Sequence, residues 1–466
     1  MSPTVRIDDK DIRVAYFIGI GGIGMSALAR YFADAGVRVL GYDKTKTALT
    51  ETLQEEGMDI VYNDMPQHMT EEVDVVIYTP AVPRELQLFK RAQSLGKPIY
   101  KRAEVLGKVT RHLKVVAIGG THGKTTCSAL TTYVLRECGI KVGAFVGGII
   151  PQYQTNYLRG ESEWVIVEAD EYDRSFLHLH PWYCVINSLD PDHLDIYGTR
   201  EAMLESYREF MQKTQRGGTV WITEEVAQQI GDQRIELLQR QQIKVIVYGS
   251  IDRPFGYRKV RFEKEGVQFE WIDGKGKCMD VHLQMPGEHN VRNAVLALNI
   301  AQSLGVDAKA AVRALEGFRG IWRRFEIVYR DSARVWIDDY AHHPTELRET
   351  IRAARSMFPD RPLIAVFQPH LYTRTRDFAE EFARALSNVD VLWLVDIYPA
   401  REEPIPGVDT SIIAAHIKNI PVYRVSLEEL VDQLELPPRP YVLLILGAGD
   451  IYTVIPKLKE KLITDV

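Results

Sequence analysis

The segment KVVAIGGTHGKTT at residues 114–126 joins an apolar run to a helix-type run through glycines and a Lys-Thr-Thr triplet. The apolar residues before the glycines indicate a buried strand that ends where the glycines begin. Glycines allow backbone amides to turn toward an anion, and the N-terminus of the following helix adds a partial positive charge. The segment therefore predicts a phosphate-binding loop between a strand and a helix.

Lys124 and Thr125 indicate which phosphates this loop holds. A lysine here supplies a mobile cation for the β- and γ-phosphates, and the next hydroxyl can bind Mg²⁺. The pattern departs from the full phosphate-loop motif at one point, because Ile118 stands where that motif has its first glycine. We predict that the loop binds a nucleoside triphosphate.

A second glycine loop, Gly19-Ile-Gly-Gly-Ile-Gly24, follows the apolar run VAYFIGI, and Asp43 ends the next apolar run. Glycines in this pattern with an acid about 20 residues later form the dinucleotide fingerprint. The same geometry would hold the diphosphate of a UDP-sugar equally well. The residues alone leave open a nicotinamide or flavin cofactor and another phosphate ligand.

Acidic residues follow two further apolar runs. WVIVEADEYDRSF at 164–176 places Glu168 and Asp170 on one face of a strand, so that one of them is a candidate Mg²⁺ ligand. INSLDPDHLDIYG at 186–198 offers His193 among carboxylates, either as a second metal ligand or as a surface histidine. Asn187 to Asp190 is similar to a guanine-reading motif, but Ser188 replaces its lysine, so a GTPase is not favoured.

Two histidine-containing segments near the C-terminus suggest a further binding region. WIDDYAHHPTELRETIRAAR at 336–355 ends a strand in acids and begins a helix near Pro344. VFQPHLYTRTRDF at 366–378 repeats the layout with His370, Arg374 and Arg376. Arginines at such a loop suit the recognition of carboxylate or phosphate groups by paired hydrogen bonds.

Short apolar runs alternate with amphipathic helical segments almost throughout, which predicts an α/β protein with parallel sheets. The exception is 243–285, which alternates in polarity as antiparallel strands do. Domain boundaries are expected near 108–113 and 317–323.

The net charge of −6 does not favour nucleic acid as a partner. No apolar run approaches the ~20 residues of a membrane span, and four scattered cysteines suggest a reduced cytoplasmic compartment.

Nine segments in chain order resemble motifs of the Mur ligase family: GIGGIGMS, GGTHGKTT, EADEYDRSF, DPDHLDIYG, GEHNVRNA, RRFE, DDYAHHPTE, FQPHLYTRTRDF and GAGDI. They cover almost the whole chain. The resemblance implies three α/β domains: a Rossmann-like UDP-sugar domain at 1–109, a central ATP-binding domain at 110–319, and a Rossmann-like domain for the amino acid at 320–466.

The resemblance also implies a reaction and its ligands. The first loop would hold UDP-N-acetylmuramate and the second ATP, so no nicotinamide is needed. The γ-phosphate of ATP would pass to the muramyl carboxylate, and the amine of L-alanine would displace it as phosphate, with Mg²⁺ neutralising charge. No nucleic-acid partner or membrane span is expected, and the protein is expected to be a monomer or a homodimer.

Site residues carry over from the family motifs position by position. The implied catalytic residues are Lys124, Glu168, His193, Arg324, His343 and Arg374, of which Glu168 and His193, with Thr125, are the implied metal ligands. The implied ATP-binding residues are Gly119, Gly120, Thr121, His122, Gly123, Lys124, Thr125, Thr126, His289, Asn290, Asn293, Arg324 and Asp339. The implied UDP-sugar-binding residues are Gly19, Gly21, Gly22, Ile23, Gly24, Asp43, Thr79 and Pro80.

Two departures from the family pattern bear on these roles. No lysine lies between His193 and Gln212, where several relatives carry a carbamylated lysine that supports a second metal. Leu371 stands where some alanine ligases have an arginine, which leaves open the cation that holds the alanine carboxylate.

Other functions remain as alternatives. The nearest is a murein-recycling ligase that adds a tripeptide to the same UDP-sugar. A folate-polyglutamating ligase shares the central domain but lacks a UDP domain. An NAD-dependent oxidoreductase explains only Gly19 to Asp43, and a non-enzymatic nucleotide switch would bind ATP without substrate-dependent turnover.

Overall fold

A computed structural model of the protein describes residues 5–191, 194–263, 266–400, 402–437 and 440–463. The chain divides into two compact units. The first comprises Met1–Arg258, Trp271–Met279 and Arg292–Phe318, and the second comprises Lys259–Glu270, Asp280–Val291 and Arg319–Val466.

The first unit begins with a small ribbon and a five-stranded parallel sheet. The ribbon pairs β1 (Arg6–Ile7) with β2 (Lys10–Asp11) in antiparallel fashion. The sheet has the order β5-β4-β3-β6-β7. Its strands are β3 (Val14–Ile18), β4 (Arg38–Tyr42), β5 (Asp59–Val61), β6 (Val75–Tyr78) and β7 (Ile99–Lys101).

A seven-stranded sheet follows, in the order β10-β9-β11-β8-β12-β13-β14. All neighbours are parallel except β10 and β9. Its strands are β8 (Lys114–Gly119), β9 (Gly143–Ile150), β10 (Thr155–Leu158), β11 (Trp164–Glu168), β12 (Pro181–Ile186), β13 (Thr219–Ile222) and β14 (Lys244–Val247). A separate three-stranded sheet has the order β15 (Gly256–Glu263), β16 (Gly266–Ile272), β17 (Cys278–Leu283).

Helices connect these strands. They are α1 (Ile23–Asp34), α2 (Ala48–Glu55), α3 (Gln87–Ser94), α4 (Arg102–Thr110), α5 (Lys124–Glu137), α6 (Leu194–Tyr197), α7 (Arg200–Gln212), α8 (Glu224–Ile230), α9 (Asp232–Arg240), α10 (Glu288–Ser303) and α11 (Ala308–Glu316). Two 3₁₀ segments cover Pro66–His68 and Tyr172–His178.

The second unit contains a six-stranded sheet in the order β18-β19-β23-β20-β21-β22, parallel except for β18 against β19. Its strands are β18 (Glu326–Arg330), β19 (Arg334–Asp339), β20 (Leu363–Phe367), β21 (Val391–Val395), β22 (Val422–Val425) and β23 (Tyr441–Leu446). Its helices are α12 (Pro344–Met357), α13 (Tyr372–Asp377), α14 (Ala379–Leu386), α15 (Ser411–Ala414), α16 (Leu427–Gln433) and α17 (Val454–Ile463), with a 3₁₀ turn at Ile451–Thr453.

Burial on both faces explains why the parallel strands are continuous apolar runs in the sequence. In β23 all six residues are buried. One apolar cluster runs from Val5 to Ile243 and is shared by the five-stranded and seven-stranded sheets. The second unit has two clusters of its own, drawn from residues 325–446 and 336–458.

The predicted α/β class is confirmed. The expectation of antiparallel strands from 243 onward is wrong for β14, which pairs in parallel with β13. Four residues are too few to distinguish the two orientations by their pattern. Among the described residues, no helix is both long enough and apolar enough to cross a membrane.

Candidate nucleotide site

The loop between β8 and α5 has the backbone that its glycines predict. Gly120 and Gly123 have φ values of +118° and +77°, which side chains rarely adopt. A β-carbon on Gly120 would also lie 2.8 Å from the backbone nitrogen of Asn187. The loop therefore packs closely on the segment after β12, and both glycines are required by its shape.

Lys124, the first residue of α5, is folded back onto its own loop. Its Nζ donates to the carbonyl oxygens of Gly120 at 2.8 Å and Thr121 at 3.3 Å. It also contacts Glu171 Oε1 at 2.8 Å. Burial works against the charged form, but the carboxylates of Glu171, Asp170 and Glu168 together outweigh it and raise the pKa of Lys124 above its ordinary value.

Glu168, at the end of β11, is held against the start of α5. The Thr125 hydroxyl donates to Glu168 Oε1 at 3.0 Å, and the Gly147 amide donates to Oε2 at 2.7 Å. A β-carbon on Gly147 would lie 2.6 Å from the carboxyl carbon of Glu168. The absence of a side chain at Gly147 therefore makes room for this carboxylate.

The loop after β12 fixes the other side of the phosphate loop. Ser188 Oγ lies 3.0 Å from Thr121 Oγ1 and accepts from the His122 amide at 2.9 Å. The His122 ring contacts Asp190 at 3.2 Å. On the helix side, a β-carbon on Gly123 would lie 3.0 Å from Asn293 Oδ1. Three of the implied ATP-binding residues, His289, Asn290 and Asn293, lie in α10, and Asn293 is the one that the structure places at this loop.

The predicted metal ligands are only partly described. His193 lies outside the described residues. In those stretches that are described, no three His, Cys, Asp or Glu side chains converge to hold a metal. Thr125 and Glu168 nevertheless present two oxygen donors side by side, and Mg²⁺ bound to phosphates uses only one or two protein carboxylates.

The first glycine loop lies between β3 and α1. Gly19 has a φ of +85°, and Gly22 precedes the first residue of α1, Ile23. The Gly21 amide donates to Asp43 Oδ2 at 2.8 Å, so the acid of the predicted fingerprint caps the loop in this structure. Thr79 packs on the loop: its methyl carbon is 2.7 Å from a β-carbon built on Gly19.

The remaining members of this group are Pro80 and Gly24. Pro80 follows β6 and is exposed. Gly24, in the first turn of α1, lies against the Arg102 guanidinium, which is 3.1 Å from a β-carbon built there. Arg102 also contacts Asp170 at 3.3 Å. Sequence reasoning did not select Arg102, because an arginine at a helix start is common and its neighbours in space are distant in sequence.

The other α10 residues have local partners. Asn290 donates to the Pro286 carbonyl at 2.7 Å and is 3% exposed. His289 Nδ1 lies 3.9 Å from Glu349, and this histidine lowers the pKa of Glu349 despite burial. Their implied role in ATP binding remains a prediction.

In the second unit, the two acids at the end of β19 contact the segment that begins at Arg323. Asp339 accepts from the Phe325 amide and the Thr350 hydroxyl, both at 3.0 Å. Burial raises the pKa of Asp339, and Arg324 opposes that shift. Arg324 itself is 3.9 Å from Glu346 and is a quarter exposed.

His343 and Arg374 are buried, at 5% and 7% exposure. His343 caps α12: its Nδ1 accepts from the Thr345 amide at 3.3 Å. Its ring stands edge-on to Phe378, with centroids 5.3 Å apart. The neighbouring His370 stacks on Tyr398 and His342 is close to it, so that the predicted histidines of both segments gather at one end of the sheet.

Sequence reasoning missed several contacts of the phosphate loop. Gly147 was not selected, although a glycine inside a strand is a weak sign of a close approach. Glu171 stands in the acidic run after β11, and no local pattern in the sequence distinguishes it from Asp170. Both contacts depend on how strands far apart in sequence are ordered in the sheet.

The folded chain is thus an α/β protein with a glycine-rich loop between β8 and α5. At this loop Thr125 contacts Glu168 at the end of β11, and Lys124 contacts Glu171 just after that strand. Three family models match it: Mur ligase family, catalytic domain, at 14–114; Mur ligase middle domain at 118–301; and Mur ligase, glutamate ligase domain, at 323–449. The chain belongs to the Mur ligase family.

Individual relatives cover nearly the whole chain. UDP-N-acetylmuramate–L-alanine ligases of Phocaeicola vulgatus and Cytophaga hutchinsonii are 40% and 42% identical, over 97% and 96% of this chain and 98% and 96% of theirs. The crystal structure of the UDP-N-acetylmuramate–alanine ligase of Thermotoga maritima has a TM-score of 0.80 at 27% identity, covering 97% of this chain and 99% of that one. A murein peptide ligase from Psychrobacter arcticus shares the fold, with a TM-score of 0.71 at 21% identity over the same shares of the two chains.

Proposed function

We propose that this protein joins L-alanine to the carboxylate of UDP-N-acetylmuramate at the expense of ATP, releasing ADP and phosphate. The observation that carries the proposal is the phosphate loop with Lys124 beside Glu171 and Thr125 bonded to Glu168. Relatives about 40% identical over nearly the whole chain carry this activity in their names. The three-domain division at 1–109, 110–319 and 320–466 belongs to the same proposal.

The chemistry explains why the site needs cations. A carboxylate is a poor electrophile, and its attack on the γ-phosphate brings two anions together. The muramyl carboxylate oxygen forms a bond to phosphorus while the bond to ADP breaks. The alanine amine then attacks the acyl carbon, loses a proton and expels phosphate. Lys124 is the residue that we assign to the β- and γ-phosphates.

Mg²⁺ fits the pair of oxygen donors at Thr125 and Glu168, with His193 as a second proposed ligand. When bound, the ion would neutralise phosphate charge during transfer. Glu168 is already positioned by Gly147 and Thr125, so little reorganisation of the protein is required for it to bind a cation. The Asp43-capped loop is proposed to hold the diphosphate of the UDP-sugar, and Arg324, His343 and Arg374 to act on the carboxylate and the acceptor.

The test is phosphate release from ATP with Mg²⁺, UDP-N-acetylmuramate and, in separate reactions, L-alanine, glycine, L-serine or the recycling tripeptide. We expect release to require the UDP-sugar and to be fastest with L-alanine. Release only with the tripeptide would assign the protein to the recycling branch instead. No release with any acceptor would refute the ligase function.

A further inference from the structure

The ammonium of Lys124 has an acceptor from the protein for each of its three N–H groups. A lysine has three N–H donors, and the structure gives this one three acceptors: the carbonyl oxygens of Gly120 and Thr121 and the carboxylate of Glu171. Two of these acceptors belong to the loop that is proposed to hold phosphates. A phosphate oxygen can bind Lys124 in this arrangement only if one of the three contacts is released.

The contact with Glu171 is the strongest of the three. It joins two opposite charges at 2.8 Å, and the side chains are only 16% and 2% exposed. Hydrogen bonds between charged groups are about twice as strong as neutral ones, and removal from water strengthens them further. The structure therefore stores the lysine on Glu171 rather than leaving it in solvent.

The backbone of Glu171 is held in place by two hydrogen bonds. Its carbonyl oxygen accepts from the Tyr197 hydroxyl at 2.7 Å and from the Arg174 amide at 3.0 Å. The turn that follows holds Asp173 and Arg174 at φ values of +54°, a conformation that costs about 1 kcal/mol or more per residue outside glycine. Because these contacts hold the backbone of Glu171, and because Lys124 has the longer and more flexible side chain, the lysine is the partner that moves.

The neighbouring acids have other partners. Asp170 contacts Arg102 at 3.3 Å, and Asp173 contacts Lys101 at 2.6 Å. Each of these three carboxylates thus has a different cation as its contact partner: Glu171 contacts Lys124 directly, whereas Asp170 acts on Lys124 only through its charge at longer range. Asp173 provides a matched control, because it carries the same charge on the same turn.

We infer that Glu171 is a positioning residue that stores Lys124 in the nucleotide-free protein and competes with the phosphates of ATP for it. This inference rests on the proposed function, since it concerns the same ATP loop. The apparent dissociation constant for ATP is then the intrinsic constant divided by the fraction of molecules in which Lys124 is not held by Glu171. A triphosphate, with several charges near the loop, displaces Glu171 more readily than a single phosphate does.

The experiment is calorimetric titration of the full chain with Mg²⁺ and the non-hydrolysable analogue AMP-PNP. The variants are E171Q, K124M, the double variant E171Q/K124M, and the control D173N. If Lys124 is stored in about nine molecules of ten, E171Q should bind about tenfold more tightly than the wild type. D173N should change the dissociation constant by less than about twofold, because asparagine tolerates the left-handed backbone there.

The double variant separates storage from a general effect of charge. Without the ammonium, E171Q should give no tightening in the K124M background. Weaker binding by E171Q would overturn the inference, because Glu171 would then orient Lys124 toward ATP. Equal tightening by E171Q and D173N, or tightening that persists without Lys124, would do the same. A wild-type chain that does not bind AMP-PNP at all would instead refute the proposed function itself.

Discussion

The Thr125 hydroxyl and the Glu168 carboxylate are hydrogen-bonded at 3.0 Å, which links the first turn of α5 to the end of β11. The second oxygen of Glu168 accepts from the Gly147 amide, so helix α5 and the strands β9 and β11 meet at one carboxylate. Because both oxygens of Glu168 are hydrogen-bonded, the position of this carboxylate beside the glycine loop is fixed.

Replacing Glu168 by glutamine should remove most of the activity while leaving the fold intact. The amide keeps the shape and the bond to Thr125 but loses the charge that a phosphate-bound cation needs. We expect phosphate release to fall by about a hundredfold or more, a loss typical for a group that stabilises charge in the transition state. E163Q, at the exposed start of the same strand, is the control. Activity of E168Q close to wild type would exclude Glu168 as a metal ligand.

An alanine at Gly147 should displace Glu168 without touching any ligand directly. Its β-carbon would lie within 2.6 Å of the carboxyl carbon, closer than real contacts allow. We expect G147A to lose activity by about tenfold or more through this displacement. G143A in the same strand is the control, since its β-carbon would have no neighbour closer than 3.4 Å. Steady-state rates with circular dichroism spectra check the prediction, which fails if the two variants behave alike.

Asp338 should make the stability of the second unit depend on pH. Burial raises the pKa of Asp338 to about 7, against the opposing effect of Arg323. The folded chain then holds a proton that the unfolded chain releases near pH 4, so this contribution to stability is complete below about pH 4 and is lost as the pH rises to about 7. The slope can reach about 1.4 kcal/mol per pH unit.

The variant D338N cannot titrate, and its amide oxygen can still accept from Arg323. Urea unfolding at pH 5 and pH 7 should show a smaller loss of stability for D338N than for the wild type. D360N, at an exposed position, should retain the wild-type dependence. Identical slopes for D338N and wild type would show that Asp338 is ionised throughout this range.

Cys127 lies in the phosphate-loop helix but should not react with thiol reagents. It is buried and its Sγ lies 3.8 Å from the Asn293 carbonyl, and burial raises the pKa of its thiol to about 12. With a disulfide reagent at pH 8, Cys138 and Cys278, which are partly exposed, should react first. Cys127 and Cys184 should react only in denaturant. Peptide mapping that finds Cys127 among the fast thiols would contradict this packing.

The sequence predicted the fold and the position of the phosphate loop well, because both depend on local signals. Gly120, Gly123 and Lys124 lie next to one another in the chain and constrain one strand-to-helix turn. The partners of that turn could not be predicted in the same way. Gly147 and Glu171 reach it through the order of strands in the sheet, and Asp43 caps the first loop instead of remaining open to solvent. Side-chain contacts across a sheet leave no periodic trace in the sequence.

The apolar cluster shared by the five-stranded and seven-stranded sheets has a consequence for exchanging parts between relatives. Tyr31 of α1 packs on Phe145 of β9, with ring centroids 5.7 Å apart, and Arg30 bonds to Asn156 at 2.6 Å. A chimera in which only the five-stranded sheet and its helices come from another relative must restore these contacts of α1 with β9 and β10 residue by residue. A chimera joined near residue 110 is therefore expected to fold poorly unless both sides of these contacts come from the same parent.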